Sequence, residues 1–332
     1  MKTTVVGSYP VPEWLKQCQD EEALADALTV VMDAQRRAGV EVICDGELGR
    51  WDLQRRAPGG MVERFVRPLA GVSVELTRGQ LEAWRARDEM AFRSAPPGVV
   101  VGPLGDGLLN LKRDWDRARA LTDAPLKFTV SSPYLLARTV ADAHYGDLES
   151  LTMAFAELLA GQLAGIDAAV VQVDEPNLPG SPGDGPLAAA AINRLLDGVE
   201  PGTERAVHLC FGNYGGQMIR RGDYGRLIDF MNALRCDHLV LETTRRAPEE
   251  LDRLADVHAG IRLGLGVIDV KDLQVETPDQ VARRIEELAQ RVGPERIAYL
   301  HPDCGLRVLP RPAADGKLRA LVAGRDRFLR SG

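Results

Sequence analysis

The chain has 332 residues, 45% of them hydrophobic and 27% charged, a composition typical of a folded globular protein and not of a disordered one. Its 41 Lys and Arg residues against 48 Asp and Glu residues give a formal charge of −7, which argues against nucleic acid and anionic membranes as partners. No run approaches the roughly 20 apolar residues that a membrane span needs, and the N-terminus lacks the apolar segment of a signal peptide, so we predict a cytoplasmic protein.

Short runs rich in Val, Ile and Leu alternate with amphipathic stretches along the chain. Eight such runs, typical of strands buried on both faces of a parallel sheet, lie at residues 3–6, 40–44, 126–130, 168–173, 205–209, 238–241, 261–267 and 296–300. Helical patterns between them cover residues 21–38, 148–164, 224–234, 248–257 and 278–292. Eight β/α units predict an α/β fold, a (β/α)₈ TIM barrel, with residues 1–332 forming a single catalytic domain.

Two segments interrupt this repeat. Residues from about 50 to 125 contain a charged helical pattern at 77–93, the pair Pro96-Pro97 and a strand-like run at 99–101. We predict that this segment is an insertion between the second and third strands of the barrel. Residues 176–186 are rich in Pro and Gly and directly follow a predicted strand, which is where active-site loops lie.

Polar side chains follow every predicted strand. Because the reacting groups of an α/β barrel lie at the carboxyl ends of its strands, these residues form the candidate site. They are Gly7, Ser8, Asp45, Glu47, Ser131, Ser132, Asp174, Glu175, His208, Cys210, Glu242, Asp269, Lys271, Asp303 and Cys304. An inert scaffold would scatter such groups over both ends of the barrel, so the clustering favours an enzyme.

His208 and Cys210 form an H-x-C pattern at the end of the fifth predicted strand. Residues i and i+2 of a strand point to one face, so the imidazole and the thiol can converge on one point. The pattern alone also suits a buried cysteine beside a hydrogen-bonded histidine. Cys304, in the turn after the last strand, adds a second sulfur, and Glu242 can supply a fourth ligand. Nitrogen and sulfur ligands favour Zn²⁺, so we predict a zinc site.

This ligand set places three anions around Zn²⁺, for a net charge of about −1. A zinc ion with so much negative charge around it is a poor Lewis acid for water, but it keeps a substrate thiol in the thiolate form. The predicted chemistry is therefore activation of a thiol, with the substrate sulfur displacing the Glu242 carboxylate.

Seven motifs, in the same order along the chain, resemble the catalytic domain of cobalamin-independent methionine synthases. They are Val6-Gly7-Ser8-Tyr9-Pro10, Asp45-Gly46-Glu47, Gln172-Val173-Asp174-Glu175-Pro176, His208-Leu209-Cys210, Glu242-Thr243-Thr244-Arg245, Gly264-Leu265-Gly266-Val267-Ile268-Asp269 and Pro302-Asp303-Cys304-Gly305-Leu306. The resemblance implies a zinc barrel that methylates the thiol of homocysteine, a small molecule, to give methionine. It also implies that the zinc ligands are His208, Cys210, Glu242 and Cys304.

The same resemblance implies residues that hold the amino-acid part of homocysteine. Glu47 and Asp174 match positions that contact its α-ammonium group, and carboxylates suit that role chemically. Gly7 and Ser8 match positions near its α-carboxylate, for which a turn with free N–H groups is suitable.

The sequence departs from the family on the side of the methyl donor, and it resembles a short, single-barrel branch. The loop after Pro176 lacks the acidic residue that contacts folate in the relatives, and residues 94–103 contain no counterpart of their Arg-Cys pair. Lys271 stands where the family has a proton-donating histidine, so we predict Lys271 and Asp269 as catalytic residues. We predict a donor other than folate, such as a methylcorrinoid, with a corrinoid protein as a candidate partner.

Two other functions remain open. One is a zinc thiol alkyltransferase that resembles the epoxyalkane:coenzyme M transferases, in which Arg50, Arg245 and Lys271 would face a sulfonate. The other is a lyase resembling uroporphyrinogen decarboxylase, or a corrinoid-linked binding subunit without catalysis of its own. Glu47 and Asp174 favour an amino-acid thiol, and the zinc ligands argue against a metal-free lyase.

Overall fold

Eight parallel strands form the central sheet of the protein, in a computed structural model that describes residues 1–18, 20–52, 57–58, 60–87, 93–212 and 222–331. The strands are β1 (Lys2–Thr3), β2 (Ile43–Cys44), β3 (Leu126–Ser131), β4 (Val170–Glu175), β5 (Glu204–Leu209), β6 (His238–Leu241), β7 (Arg262–Ile268) and β8 (Ile297–Pro302). The strand order is β1-β8-β7-β6-β5-β4-β3-β2, and a parallel bridge between Thr4 and Val42 joins β1 to β2. The sheet therefore closes on itself, and the predicted barrel is confirmed.

Helices cover the outside of the barrel. They are α1 (Glu21–Arg37), α2 (Gly60–Val66), α3 (Arg78–Arg85), α4 (Leu111–Arg119), α5 (Pro133–Thr139), α6 (Leu148–Gln162), α7 (Gly185–Leu196), α8 (Ile228–Ala233), α9 (Pro248–Asp252), α10 (Pro278–Val292) and α11 (Arg311–Ser331). Helix α10 shows how the sequence fixes such an element: Thr277 caps its first turn, Pro278 occupies the first position, and buried Val281, Ile285 and Leu288 recur at helical spacing.

The predicted helices at 21–38, 148–164 and 278–292 are confirmed, and those at 224–234 and 248–257 are each divided between a 3₁₀ turn and an α-helix. The sequence patterns missed α2, α4, α5, α7 and α11. The predicted loop at 176–186 is shorter than expected, because two 3₁₀ turns follow β4 and α7 already begins at Gly185. Pro186 occupies the first turn of that helix, where proline is favoured.

The predicted insertion lies between β2 and β3. It contains α2, α3 and α4, and its strands Ala70–Ser73 and Val99–Gly105 form a small sheet with Ala141–Asp142, which lies beyond β3. The helix predicted at 77–93 begins after Thr77 and is helical to Arg85, while residues 88–92 lie outside the described part of the chain. The Trp84 indole donates to the Thr139 carbonyl at 3.0 Å and thereby fastens the insertion to the end of α5.

The barrel encloses two kinds of side chain. Val6, Val42, Val170, Ala206 and Val240, with Ala298 and Tyr299, form a small apolar cluster that is separate from the main core under the helices. Because side chains alternate between the two faces of a strand, the residues two and four positions after Val170 and Ala206 also point into the barrel. Gln172, Asp174, His208 and Cys210 occupy those positions, so the polar interior continues toward the carboxyl ends of the strands. No helix in the described residues is long and apolar enough to cross a bilayer.

Candidate active site

Three residues of the predicted zinc site lie together at the carboxyl ends of β5 and β8. The ligand atoms of His208, Cys210 and Cys304 all lie within 4.8 Å of one another. We call these residues the sulfur cluster. They come from strands that are not adjacent in the sheet, and closure of the barrel brings them together.

The imidazole of His208 is oriented by the backbone of β6. Its Nδ1 lies 2.9 Å from the carbonyl oxygen of Val240, which can only accept, so Nδ1 carries the proton. Nε2 is therefore the lone-pair nitrogen, and this buried atom has no hydrogen-bond partner in the part of the chain that the structure describes. A histidine that donates through one nitrogen to a carbonyl and offers the other is the arrangement of metal-binding histidines. The donor set of one imidazole and two sulfurs fits Zn²⁺.

The two thiols of the sulfur cluster are electrically unequal. A hydrogen bond from Cys210, together with His208 beside it, holds the pKa of Cys304 well below its usual range. The same hydrogen bond, with burial, raises the pKa of Cys210. Burial lowers the pKa of His208, but the negative charges of Cys304 and Asp174 outweigh it and the net shift is upward.

Glu242, the predicted fourth ligand, lies beside the sulfur cluster but outside the group of ligand atoms within 4.8 Å of one another. Its carboxylate is paired with the Arg246 guanidinium, and its Oε2 lies 3.1 Å from Lys271 Nζ. The Arg246 guanidinium stacks on Phe211, with its carbon 3.3 Å from the ring centroid. Arg246 was not predicted, because a pair four residues apart in a loop leaves no periodic signal.

The two predicted catalytic residues lie next to this ion pair. Burial lowers the pKa of Lys271, but the charge of Glu242 outweighs it, so the group stays an ammonium. Asp269 accepts from the Lys271 backbone N–H at 2.8 Å and from Arg245 Nε at 2.8 Å. Lys271 thus serves to hold Glu242 in this structure, while Asp269 shapes the loop that carries Lys271.

Glu47 and Asp174, which we call the carboxylate cluster, occupy the other part of the site. Glu47 has a φ of 56°, the single positive value at a non-glycine among the described residues. Such strained backbone tends to occur at functional sites. Gly7 makes room for it, because a Cβ at Gly7 would lie 2.3 Å from Glu47 Oε1.

Two arginines and a threonine surround the Glu47 carboxylate. Arg50 Nη1 lies 3.0 Å from Oε1, Thr129 donates to the same oxygen at 3.0 Å, and Arg307 Nη2 lies 3.7 Å from Oε2. Arg50 also donates to the carbonyl and hydroxyl of Thr129, each at 2.5 Å. Arg307 and Thr129 were not predicted, because their contacts with Glu47 cross the barrel and follow no local pattern.

Asp174, a member of the carboxylate cluster, lies next to the sulfur cluster. It lies opposite His208 in the register of β4 and β5 and is 3% exposed. Burial raises its pKa to about 6, with the nearby His208 lowering it and Glu47 raising it. The candidate metal ligand His208 and the candidate ammonium partner Asp174 are therefore neighbours across one pair of strands.

The turn after β8 is fastened to the turn after β1. Leu306 N–H donates to the Ser8 carbonyl at 2.7 Å, and a Cβ at Gly305 would lie 2.0 Å from Ser8 Oγ. Asp303, which precedes the Cys304 position, accepts from the backbone N–H of Thr243 at 2.9 Å. Burial raises the pKa of Asp303 to about 7. These contacts fix Cys304 relative to Ser8.

Comparison with known proteins gives one consistent result. Residues 1–325 match the family model described as the catalytic domain of cobalamin-independent synthases. The chain is 28% identical to the methionine synthase of Thermococcus kodakarensis, with 98% of this chain and 92% of that protein covered. It is also 28% identical to the methionine synthase of Pyrococcus abyssi, with coverages of 97% and 91%.

A solved structure has the same fold. It is a B12-independent methionine synthase from Shewanella sp. W3-18-1 in complex with selenomethionine, which superposes with a TM-score of 0.79 at 23% identity. The match covers 99% of this chain and 98% of that one.

Proposed function

The chain belongs to the family of the cobalamin-independent methionine synthase catalytic domain, and on this premise we propose that it is a zinc-dependent methyltransferase acting on the thiol of homocysteine. The observation that carries the proposal is the sulfur cluster, with the free Nε2 of His208 facing two cysteines, directly beside Asp174. A metal-binding set next to a buried carboxylate suits a substrate that has both a thiol and an ammonium group.

In the proposed mechanism, His208, Cys210 and Cys304 would hold zinc, and Glu242 is the candidate fourth ligand. Zinc bound by such a set keeps a substrate thiol reactive as a thiolate near neutral pH. Lys271 and Arg246 hold the Glu242 carboxylate at the edge of the sulfur cluster. These two ion pairs would keep the Glu242 carboxylate beside the candidate metal site even when a substrate thiol takes its place as the fourth ligand.

The amino-acid part of the substrate would bind on the other side. Glu47 and Asp174 would accept hydrogen bonds from the α-ammonium group, each charge-assisted. The backbone of Gly7 and the hydroxyl of Ser8 would hold the α-carboxylate, since the turn that carries them is fixed by Leu306. The substrate sulfur would then point toward His208, because Asp174 and His208 are paired across β4 and β5.

The cations that a sulfonate thiol would need are already occupied. Arg50 is paired with Glu47, Arg245 with Asp269 and Lys271 with Glu242. An incoming sulfonate would have to displace a carboxylate from each of them, whereas the Asp174 carboxylate accepts from the neutral Gln172 amide and can receive an ammonium group. This pairing supports an amino-acid thiol over coenzyme M.

For the methyl donor we propose a methylcorrinoid, free or on a partner protein, in place of folate. A pterin presents a donor-rich edge that calls for a carboxylate, and each unpaired donor costs about 1–3 kcal/mol. Glu175 is fully buried and already accepts from the Asn177 and Leu178 backbone N–H groups. Asp184, the next acidic residue, accepts from the Tyr134 hydroxyl at 2.6 Å.

The test combines metal analysis with a matrix of thiols and donors. Homocysteine, coenzyme M, cysteine and glutathione are each assayed with methylcobalamin and with methyltetrahydrofolate as mono- and triglutamate. We expect about one zinc per chain and methionine formed from homocysteine and methylcobalamin. Faster methylation of coenzyme M would contradict the substrate. Efficient turnover of the folate triglutamate, with no gain from methylcobalamin, would contradict the donor.

A further inference from the structure

We propose that Lys127, a lysine buried inside the barrel, is a positioning residue that fixes the Asp174 carboxylate through the amide of Gln172. Lys127 lies on β3 and is 2% exposed. Its Nζ donates to the Val5 carbonyl at 2.8 Å and to Gln172 Oε1 at 2.7 Å. Val5 follows β1, and β2 separates β1 from β3 in the closed sheet, so the lysine side chain reaches across the barrel interior.

The ammonium group determines which way the Gln172 amide faces. An ammonium can only donate, so it selects the carbonyl end of the amide and turns the NH₂ end away. That NH₂ donates to the Val6 carbonyl at 2.9 Å and to Asp174 Oδ1 at 2.7 Å. In the opposite orientation, two donors would meet at Lys127 and two acceptors would meet at Asp174. Lys127 holds the carbonyl end of the Gln172 amide, and the Val6 carbonyl selects the same orientation by accepting from the NH₂ end.

Burial gives this arrangement its strength. Gln172 is fully buried and Asp174 is 3% exposed, so water cannot replace a hydrogen bond that is lost. Burial lowers the pKa of Lys127 to about 8, with the negative charge of Asp174 opposing the shift. The group donates to both of its acceptors, the Val5 carbonyl and Gln172 Oε1.

The consequence for recognition rests on the proposed function. If Asp174 receives the substrate ammonium, its free oxygen must point to one place, and the Gln172 hydrogen bond on Oδ1 determines which. Lys127 does not touch the substrate in this arrangement. It acts on selectivity for the amino group and leaves the sulfur cluster unchanged.

The test compares homocysteine with γ-mercaptobutyrate, which has the same chain without the α-amino group. In Lys127→Met we expect the ratio of kcat/KM for the two thiols to fall by roughly tenfold, mainly through KM for homocysteine, because a charge-assisted hydrogen bond is misdirected. Zinc content and the rate with γ-mercaptobutyrate should match wild type. Lys112→Met, which removes a lysine that pairs with Asp116 on the surface, is the matched control.

Equal losses for both thiols, or no loss for either, would overturn the positioning role. Gln172→Met removes the hydrogen bonds of the amide with Lys127, Val6 and Asp174, and it supports the same comparison if Lys127→Met does not fold. A crystal structure of Lys127→Met gives a readout independent of the thiol: an unmoved Asp174 carboxylate still bound to Gln172 would overturn the proposal. Wild type that treats the two thiols alike would contradict the proposed substrate, and the crystal structure alone would then decide the role of Lys127.

Discussion

The sulfur cluster and the carboxylate cluster lie side by side, but they are built in different ways. In the sulfur cluster the ligand atoms of His208, Cys210 and Cys304 lie within 4.8 Å of one another, and Nε2 of His208 has no hydrogen-bond partner among the described residues. In the carboxylate cluster Glu47 is already surrounded by Arg50, Thr129 and Arg307. The sulfur cluster therefore suits a tightly bound metal ion. The carboxylate cluster suits a cationic substrate group that replaces the present partners of Glu47. Metal binding and amino-acid binding should therefore be separable by mutation.

The largest separation is expected from the cysteines. Cys210→Ser or Cys304→Ser should abolish zinc binding and activity while the fold is retained, because a hydroxyl is a much poorer zinc ligand than a thiolate and the site lies at the rim of the barrel. Zinc per chain and circular dichroism measure the two effects.

Cys236→Ser is the control for that prediction. Cys236 is also buried, and burial raises its pKa to about 12, but it lies outside the sulfur cluster. It should keep its zinc. A Cys210→Ser protein with full zinc occupancy would remove the sulfur cluster from the metal site.

A smaller effect is expected from Glu242→Gln. The carboxylate is held by Lys271 and Arg246 next to the cluster, and loss of such a neighbouring group typically weakens metal binding by roughly 10- to 100-fold. Competition with a zinc chelator measures the change.

In the same variant, the ratio of kcat/KM for homocysteine and γ-mercaptobutyrate should stay as in wild type. A change in that ratio without a change in zinc affinity would place Glu242 in amino-acid recognition, and the comparison of the two clusters would fail.

The smallest effect is expected within the carboxylate cluster. Glu47→Gln and Asp174→Asn should each weaken homocysteine binding by roughly tenfold, because each removes one charge-assisted hydrogen bond to the ammonium group. Isothermal calorimetry on the zinc-loaded protein measures the affinity.

Zinc content should be unchanged in both variants, and binding of γ-mercaptobutyrate should also be unchanged, since that thiol has no ammonium group. Wild-type affinity for homocysteine in both would show that the substrate is not an α-amino acid.

The two clusters also differ in how far the sequence could predict them. His208 and Cys210 lie two residues apart on one strand, so local periodicity placed them on one face. The surroundings of Glu47 depend on Thr129 and Arg307, which reach it only because the sheet closes. No local sequence pattern predicts such contacts. For the same reason the sequence did not predict the hydrogen bonds that connect Lys127 with Asp174 through Gln172.

The fold was more predictable than the site. Eight apolar runs were enough for the strands, since both faces of each are buried. Two of the missed helices have clear causes: α7 starts at a glycine and a proline that resemble a loop, and α11 carries Arg and Lys residues on many of its turns. In α11 the packing residues Ala314, Leu318 and Leu321 still recur at helical spacing. This apolar spacing was the one feature of the sequence from which α11 could have been predicted.

The contact between Ser8 and Leu306 has a consequence for how the protein is made. The Ser8 turn leaves the ribosome among the first residues, and at roughly 5–20 residues per second its partner follows only after an interval on the order of tens of seconds. Until then the nascent chain contains His208 and Cys210 but neither Cys304 nor the contact that fixes Ser8. The sulfur cluster and the contact between Arg307 and Glu47 are thus completed by the same late event, and a polypeptide released before that event has neither.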